Sequence, residues 1–362
     1  MRIEFNSEDL EPIVEMVRRA APFVITPSTI VDPYDLKEYI IASAAETCKL
    51  YAILDNNIIT RACSIADGQA ARTGSNNTEA LRLTAAIMCF FILGGFHLEP
   101  SLAIYEKASK ADHPTGMRAF ELFRIADHIH PQLYADLALG RIERIPEADL
   151  SLATILSKEN KPDITVSDFS RQIAPWQVQY LALLKAASIW REGESTLNAA
   201  ISYIRWMETD SFFNVAGAIF ALAFFGPNRP SKMLKGNLST PPDQLIVSVQ
   251  NAAWDMTYVS QWAKKASKAK RDEITFLCSN DRIVKAMARP ILIPTGADQD
   301  AELGAFLRQY WSALDTGKLV SELNRAIKIV TASPVQRRRE FELRYSHMPT
   351  TIKGLEDCLL IR

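Results

Sequence analysis

Two short apolar runs, each leading into a carboxylate, constrain the fold of this chain more than any other feature. Residues 49–54 (KLYAIL) lead directly into Asp55, and residues 273–278 (EITFLC) are followed by Ser279-Asn280-Asp281. Apolar runs of this length that end in polar turn residues are typical of buried strands. A helical pattern follows each acid, so the unit strand, acidic turn and helix is predicted twice. If the two strands are neighbours in a parallel sheet, Asp55 and Asp281 lie on the same rim.

Helical periodicity dominates the rest of the chain, where apolar residues recur at helical spacing between Pro, Gly and Ser/Asp. The longest apolar run, residues 212–226, is shorter than the roughly 18 residues of a membrane-spanning helix and contains Asn214. It therefore predicts a buried helix and no membrane partner. The predicted helices cover residues 78–93 with Thr78 as the N-cap, several segments within 107–235, residues 243–270 and residues 282–287.

The charge balance excludes recruitment of a polyanion by overall charge. The 41 Lys and Arg residues nearly equal the 42 Asp and Glu residues among 362, so a polyanion would need a local basic patch. Residues 264–271 (KKASKAKR) and Arg337–Arg339 are two such stretches, and both also suit solvated helix faces. The five cysteines form no C-x-x-C pair and the N-terminus has no secretory pattern, which indicates a reducing, cytoplasmic location.

Four acids stand out by their context. Asp55 and Asp281 follow the predicted strands. Asp255 interrupts a helical stripe that is otherwise small or apolar, where a charge seldom lies without a partner. Glu106 ends the run SLAIY, and Glu99 competes with it for the same role. Carboxylates that converge from several elements suit Mg²⁺ or Mn²⁺, which can activate water for phosphodiester cleavage.

These motifs resemble those of PIN-domain nucleases. Residues 54–59 (LDNNII) are similar to the opening motif of that family, a hydrophobic strand followed by Asp, any residue, Asn and a hydrophobic residue. Residues 276–281 (FLCSND) are similar to its late motif, a strand followed by Ser or Thr, any residue and Asp. The resemblance implies an α/β fold with a three-layer α/β/α core and a parallel sheet, and metal-dependent hydrolysis of RNA. It also implies a metal site made by Asp55, Asp255, Asp281 and Glu106, with Asn57 orienting Asp55 and Ser279 supporting it.

The resemblance also sets the expected domain organisation. A discontinuous core is predicted over residues 48–110 and 240–325, interrupted by a helical insertion over 111–239. An N-terminal helical extension over 1–47 and a C-terminal tail over 326–362 complete the chain. Besides RNA, the resemblance implies an inhibitory protein partner or a homo-oligomer, and by analogy a toxin or defence role.

Two alternatives remain open from the sequence. Arg124 and His130 fit the loose Arg–His spacing of HEPN ribonucleases, which handle the phosphate without metal. Activity that survives chelation with EDTA would favour that pair. The other alternative is a helical scaffold or binding protein that keeps a degenerate, non-catalytic core. The large helical fraction and the balanced charge favour this alternative.

Overall fold

The structure is a computed structural model, and it divides the chain into two compact units. The first unit comprises Met1–Gln172 and Lys264–Lys285, and the second comprises Ile173–Ala263 and Ala286–Arg362. The residues that the structure describes are 5–25, 32–71, 77–159, 168–193, 196–230, 233–235, 239–291, 299–332 and 334–361.

The first unit packs helices around a small sheet. It begins with a short 3-10 helix, Ser7–Asp9. Its second chain segment contains the last turn of a long helix, most of which belongs to the second unit, and then the strand that follows this helix. Its other elements are α1 (Leu10–Ala20), β1 (Phe23–Val24), α2 (Leu36–Ala44), β2 (Lys49–Leu54), α3 (Asn56–Ala66), α4 (Thr78–Leu93), β3 (His97–Glu99), α5 (Ser101–Ser109), α6 (His113–Asp127), α7 (Pro131–Ala138), α8 (Glu147–Glu159) and β4 (Glu273–Cys278).

All the regular elements described in the second unit are helices. Its α11 is buried from its second residue, Ala216, to its last, Phe225, as the apolar run predicted. No helix in the described ranges has the length and apolar character needed to cross a membrane. The helices are α9 (Ala174–Glu192), α10 (Thr196–Thr209), α11 (Val215–Phe225), α12 (Pro242–Ala266), α13 (Arg282–Ala288), α14 (Gln299–Leu307), α15 (Ala313–Thr331) and α16 (Pro334–Ile361), of which α12 and α13 each have a few residues in the first unit.

The described strands form one mixed sheet in the order β1-β4-β2-β3. Strands β2 and β4 are parallel neighbours with Leu54 opposite Cys278, so both predicted strands and their parallel pairing are confirmed. β3 adds a third parallel strand beside β2. The fold is thus a helix-rich α/β fold.

The sheet is not wholly parallel, and the N-terminal extension is not wholly helical. β1 pairs antiparallel with β4, with Phe23 opposite Cys278. The expectation of a purely parallel sheet was therefore wrong at this edge. The physical reason is that Phe23 and Val24, an apolar pair following Pro22, are buried against β4, where an extended backbone can use the hydrogen-bonding groups that β4 leaves open.

One sheet face is sealed by aromatic side chains. Phe276 of β4 is fully buried, and its ring lies 5.0 Å from that of Phe96, 5.3 Å from Phe23 and 5.6 Å from Tyr39, each edge-on. Edge-to-face rings at these distances combine large apolar burial with favourable quadrupole contacts. This aromatic cluster fixes β4 against α2 and α4, and with it the polar turn that follows β4.

The predicted helix over residues 78–93 is confirmed as α4, but its N-cap was wrong. Thr78 is the first helical residue, and Asn77 takes the cap position without a side-chain cap bond. Thr78 is instead buried at 6% exposure. Tertiary packing of the first turn has therefore overridden the local preference for a hydroxyl cap.

The compact units do not follow the predicted domain boundaries. The predicted insertion over 111–239 contributes α6, α7 and α8 to the first unit and α9 to α11 to the second. The predicted core segment 240–325 is likewise divided, because β4 joins the sheet while α14 and α15 belong to the second unit. The tail over 326–362 contains the end of α15 and the whole of α16, whose Met348 packs with Leu181 of α9.

An ion pair between the buried Asp9 and the half-exposed Arg141 connects the N-terminal region to the rest of the first unit. Asp9 is 1% exposed, and its carboxylate accepts hydrogen bonds from Arg141 and, at 2.8 Å, from Gln132. These bonds hold the pKa of Asp9 below its usual value, the Arg141 hydrogen bond being the largest cause. The pair therefore stabilises the fold above about pH 4 and loses that contribution as the pH falls through the lowered pKa.

We expect Asp9→Ala to lower the free energy of unfolding by about 2 kcal/mol, because it removes charge-assisted hydrogen bonds at a buried position. Urea denaturation near neutral pH measures the change. The matched control is Glu15→Ala, which breaks the exposed Arg19–Glu15 pair and should cost under about 0.5 kcal/mol. Equal losses for the two variants would contradict a structural role for Asp9.

Candidate functional site

Asp55 begins the candidate site at the carboxyl end of β2. Its backbone N–H donates to the Cys278 carbonyl at 3.1 Å, which continues the β2–β4 pairing one residue further. Its extended backbone starts α3, and its Oδ1 accepts the Ile58 N–H at 3.0 Å. The side chain is thus an N-cap, and the residue is only 4% exposed.

Ser279 connects the two strand ends. Its hydroxyl donates to Asp55 Oδ2 at 2.5 Å, and its Oγ accepts the Asp281 N–H at 3.0 Å. The residue is fully buried, and its own N–H donates to the Pro22 carbonyl at 2.9 Å, beside β1. The hydrogen bond that the resemblance implied between Ser279 and Asp55 is therefore present. Asp281 follows, with its Oδ1 accepting the Ile283 N–H at 2.6 Å.

The Asp55 carboxyl titrates unusually high for an aspartate. Burial raises its pKa to about 6, which the hydrogen bonds from Ser279 and Ile58 oppose and the negative charges of Glu106 and Asp281 increase. Among the described residues, no Lys, Arg or His forms an ion pair with Asp55 or Asp281. A buried carboxylate with a purely structural role is usually paired with a cation, and Asp55 and Asp281 have no such ion pair within these residues.

Glu106 rather than Glu99 is the third acid near Asp55. Glu106 lies on α5, is 7% exposed, and pairs with Lys110 one turn later, Nζ to Oε1 at 2.6 Å. Glu99 at the end of β3 is instead ion-paired with Lys265. Lys110 was missed by the sequence argument, although its spacing of four residues from Glu106 is the ordinary signal for a pair on one helix face.

The two remaining predicted site residues are Asn57 and Asp255. Asn57 is exposed on the first turn of α3, and the hydrogen bonds to the Asp55 carboxylate come from Ser279 and Ile58 instead. The orienting role expected of Asn57 is therefore filled by Ser279. Asp255 is half-buried on α12 in the second unit, while the other three acids are in the first; its membership of the site stays a prediction.

The donor set suits a hard divalent cation. Mg²⁺ is usually held by one or two carboxylates, with water and substrate phosphate completing the shell. Each Asp55 oxygen accepts one hydrogen bond, which leaves a lone pair free for a cation. Within the described ranges, no three His, Cys, Asp or Glu side chains converge as a ready metal cage. The four predicted ligands thus form no such group in the described residues, and binding of Mg²⁺ or Mn²⁺ by these acids stays a prediction.

The alternative pair has structural bonds of its own. The Arg124 guanidinium donates to the Ser157 carbonyl, which joins α6 to α8. His130 is the N-cap of α7, where its Nδ1 accepts the Gln132 N–H at 3.3 Å. Both side chains thus have local partners that account for their presence without catalysis.

The raised pKa of Asp55 predicts a pH-dependent stability that Asp55→Asn should remove. Between the ordinary value of 3.8 and about 6, the folded state binds a proton that the unfolded state does not. Folding is therefore favoured as the pH falls through 6 and disfavoured above it. Relative to Asp55→Asn, the wild type should gain about 1 kcal/mol between about pH 7.5 and pH 5.

Urea denaturation of both proteins across that range measures the difference. Asn caps a helix as well as Asp does, so the substitution can keep the Ile58 bond while it removes the charge and replaces the Oδ2 acceptor of the Ser279 hydroxyl with an amide donor. The loss of that acceptor does not depend on pH, so the pH dependence of the difference still reports the carboxyl group. A wild-type advantage that grows with rising pH would contradict the burial argument.

Comparisons with protein-family models, curated proteins and solved structures found no match for this chain.

Proposed function

We propose that this protein is a metal-dependent endoribonuclease whose site lies at the carboxyl edge of β2 and β4. The proposal depends chiefly on one observation: the buried Asp55 carboxylate, raised in pKa and acted on by the charges of Glu106 and Asp281, has no structural counter-ion among the described residues. Keeping an uncompensated charge at such a position has a stability cost that a bound cation would offset. The PIN-like core implied by the resemblance belongs to the same proposal.

The roles of the residues follow from their contacts. Asp55 and Asp281 would bind the cation, Ser279 holds Asp55 by its 2.5 Å hydrogen bond, and Glu106 would take a proton from attacking water or bind the ion. A bound Mg²⁺ or Mn²⁺ would supply activated water and stabilise the leaving oxygen. Lys110, 44% exposed at its side chain, would face the substrate phosphate.

The direct test is cleavage of end-labelled single-stranded RNA with Mn²⁺, with Mg²⁺ and with EDTA. We expect cleavage with either metal and none with EDTA, because the site has carboxylates but no paired cations at Asp55 and Asp281 to replace the metal charge. Cleavage that persists in EDTA and is lost in an Arg124→Ala, His130→Ala double variant would replace this proposal with the metal-independent one. No cleavage under any condition would favour a non-catalytic scaffold.

A further inference from the structure

A basic side chain and two rings meet at the β3 edge of the sheet. Tyr51 of β2 lies opposite His97 of β3, with their ring centroids 5.4 Å apart at 31°. Lys265, at the end of α12, places its Nζ 3.9 Å from the centre of the Tyr51 ring. We call Tyr51, His97, Lys264, Lys265 and Lys268 the edge patch.

The edge patch is accessible and locally positive. His97, Lys264 and Lys268 are exposed, and Tyr51 and Lys265 are half-buried. Residues 264–271 contain five basic residues and no acid, in a chain whose net charge is −1. Such a concentration of one charge creates a local field although the molecule as a whole is near neutral.

A structural role at the end of the helix explains only part of this arrangement. Lysines are favourable at a helix C-terminus because they complement the helix dipole, which accounts for Lys264 and Lys265. It does not account for an exposed imidazole that lies tilted beside a tyrosine whose ring also contacts Lys265. An exposed flat ring beside lysines is the combination used to bind single strands, where bases stack and cations contact phosphates.

We propose that the edge patch binds single-stranded RNA. Lys264 and Lys268 contact phosphates, and a base stacks on the open face of His97, whose other neighbour is Tyr51. The choice of RNA rests on the proposed function, but binding itself needs neither metal nor cleavage. Glu99 limits the affinity, because its carboxylate pairs with Lys265 and cancels part of the positive charge.

Fluorescence anisotropy of labelled single-stranded RNA in EDTA tests the proposal. The double variant Lys264→Gln, Lys268→Gln should weaken binding roughly tenfold and reduce the slope of log affinity against log salt by about 1.4, or about 0.7 for each lost contact. The matched control Lys158→Gln, Lys353→Gln removes two exposed lysines elsewhere and should leave affinity nearly unchanged. His97→Ala should weaken binding roughly fivefold or more through lost stacking.

A variant that is expected to strengthen RNA binding makes the test more decisive. Glu99→Gln frees the Lys265 charge, so it should tighten RNA binding and steepen the salt slope. An abasic strand of the same length should bind less tightly than RNA and be insensitive to His97→Ala. The proposal is overturned if the wild type does not bind RNA, if the patch and control variants lose affinity equally, or if anionic vesicles displace the RNA.

Failure of this inference and failure of the proposed function can be told apart in the wild-type protein. Patch-dependent binding in EDTA without cleavage in Mn²⁺ would remove the ribonuclease proposal and keep the edge patch. Metal-dependent cleavage, together with RNA binding that the patch variants do not change, would remove the edge patch and keep the ribonuclease proposal.

Discussion

Asp55→Asn is expected to reduce RNA cleavage at least about 100-fold while leaving the protein folded and slightly more stable above pH 6. The loss is of the size seen when one preorganised electrostatic group is removed from a catalytic site. The pKa of Asp55 is raised to about 6 because the carboxyl group is buried. At neutral pH the buried carboxylate is therefore charged and disfavours the folded state, so its removal should increase stability. Cleavage kinetics with Mn²⁺ and urea denaturation measure the two effects on the same preparation.

Companion variants separate the predicted ligands from one another. Asp281→Asn should match Asp55→Asn, and Ser279→Ala should lose roughly 10- to 100-fold, since Ser279 acts through Asp55. Asp255→Asn is the informative case, because Asp255 belongs to the second unit: a loss equal to that of Asp55→Asn would include it among the ligands. Equal cleavage by wild type and Asp55→Asn would remove the ribonuclease proposal altogether.

Phe276→Ala is expected to lower the free energy of opening of the sheet by about 3–5 kcal/mol, the usual cost of deleting a buried phenylalanine. The ring is fully buried and lies within 5.3 Å of both Phe23 and Phe96, so no single neighbour can fill the space. Hydrogen exchange of the β2 and β4 amides measures the local opening, which is preferable in a chain with two compact units.

Two controls define what the Phe276 result means. Phe276→Leu keeps much of the apolar volume and should lose clearly less. Leu152→Ala removes an exposed side chain on α8 and should cost under about 0.5 kcal/mol. If Phe276→Ala leaves β4 protected, the aromatic cluster does not hold the strand that positions Ser279 and Asp281.

The acidic site shows how far local sequence patterns reach. The apolar character and length of residues 49–54 and 273–278 predict both strands at their observed bounds, because a strand buried on both faces needs a continuous apolar run. The acids that follow are then placed at one sheet edge by the parallel pairing. The same reasoning could not choose between Glu99 and Glu106, since the choice depends on Lys265, which is 166 residues from Glu99 along the chain.

The parts that sequence reasoning missed are those decided by distant partners. β1 has two residues, which is too short for a recognisable strand pattern. It forms a strand because it pairs with the open edge of β4. Asn57 fits the motif by position, but its side chain points to solvent while Ser279, 224 residues from Asp55 along the chain, takes the hydrogen bond. The division into two units likewise depends on which helices share a core.

The sequence alone therefore determined the buried strands, the main helices and the candidate acids, because strand and helix burial is written in the local spacing of apolar residues. Tertiary structure alone decided the mixed sheet, the raised pKa of Asp55, the pairing of Glu99 with Lys265 and the placement of Lys265 and His97 beside Tyr51. These depend on desolvation and on contacts between residues far apart in the chain, which no local pattern contains.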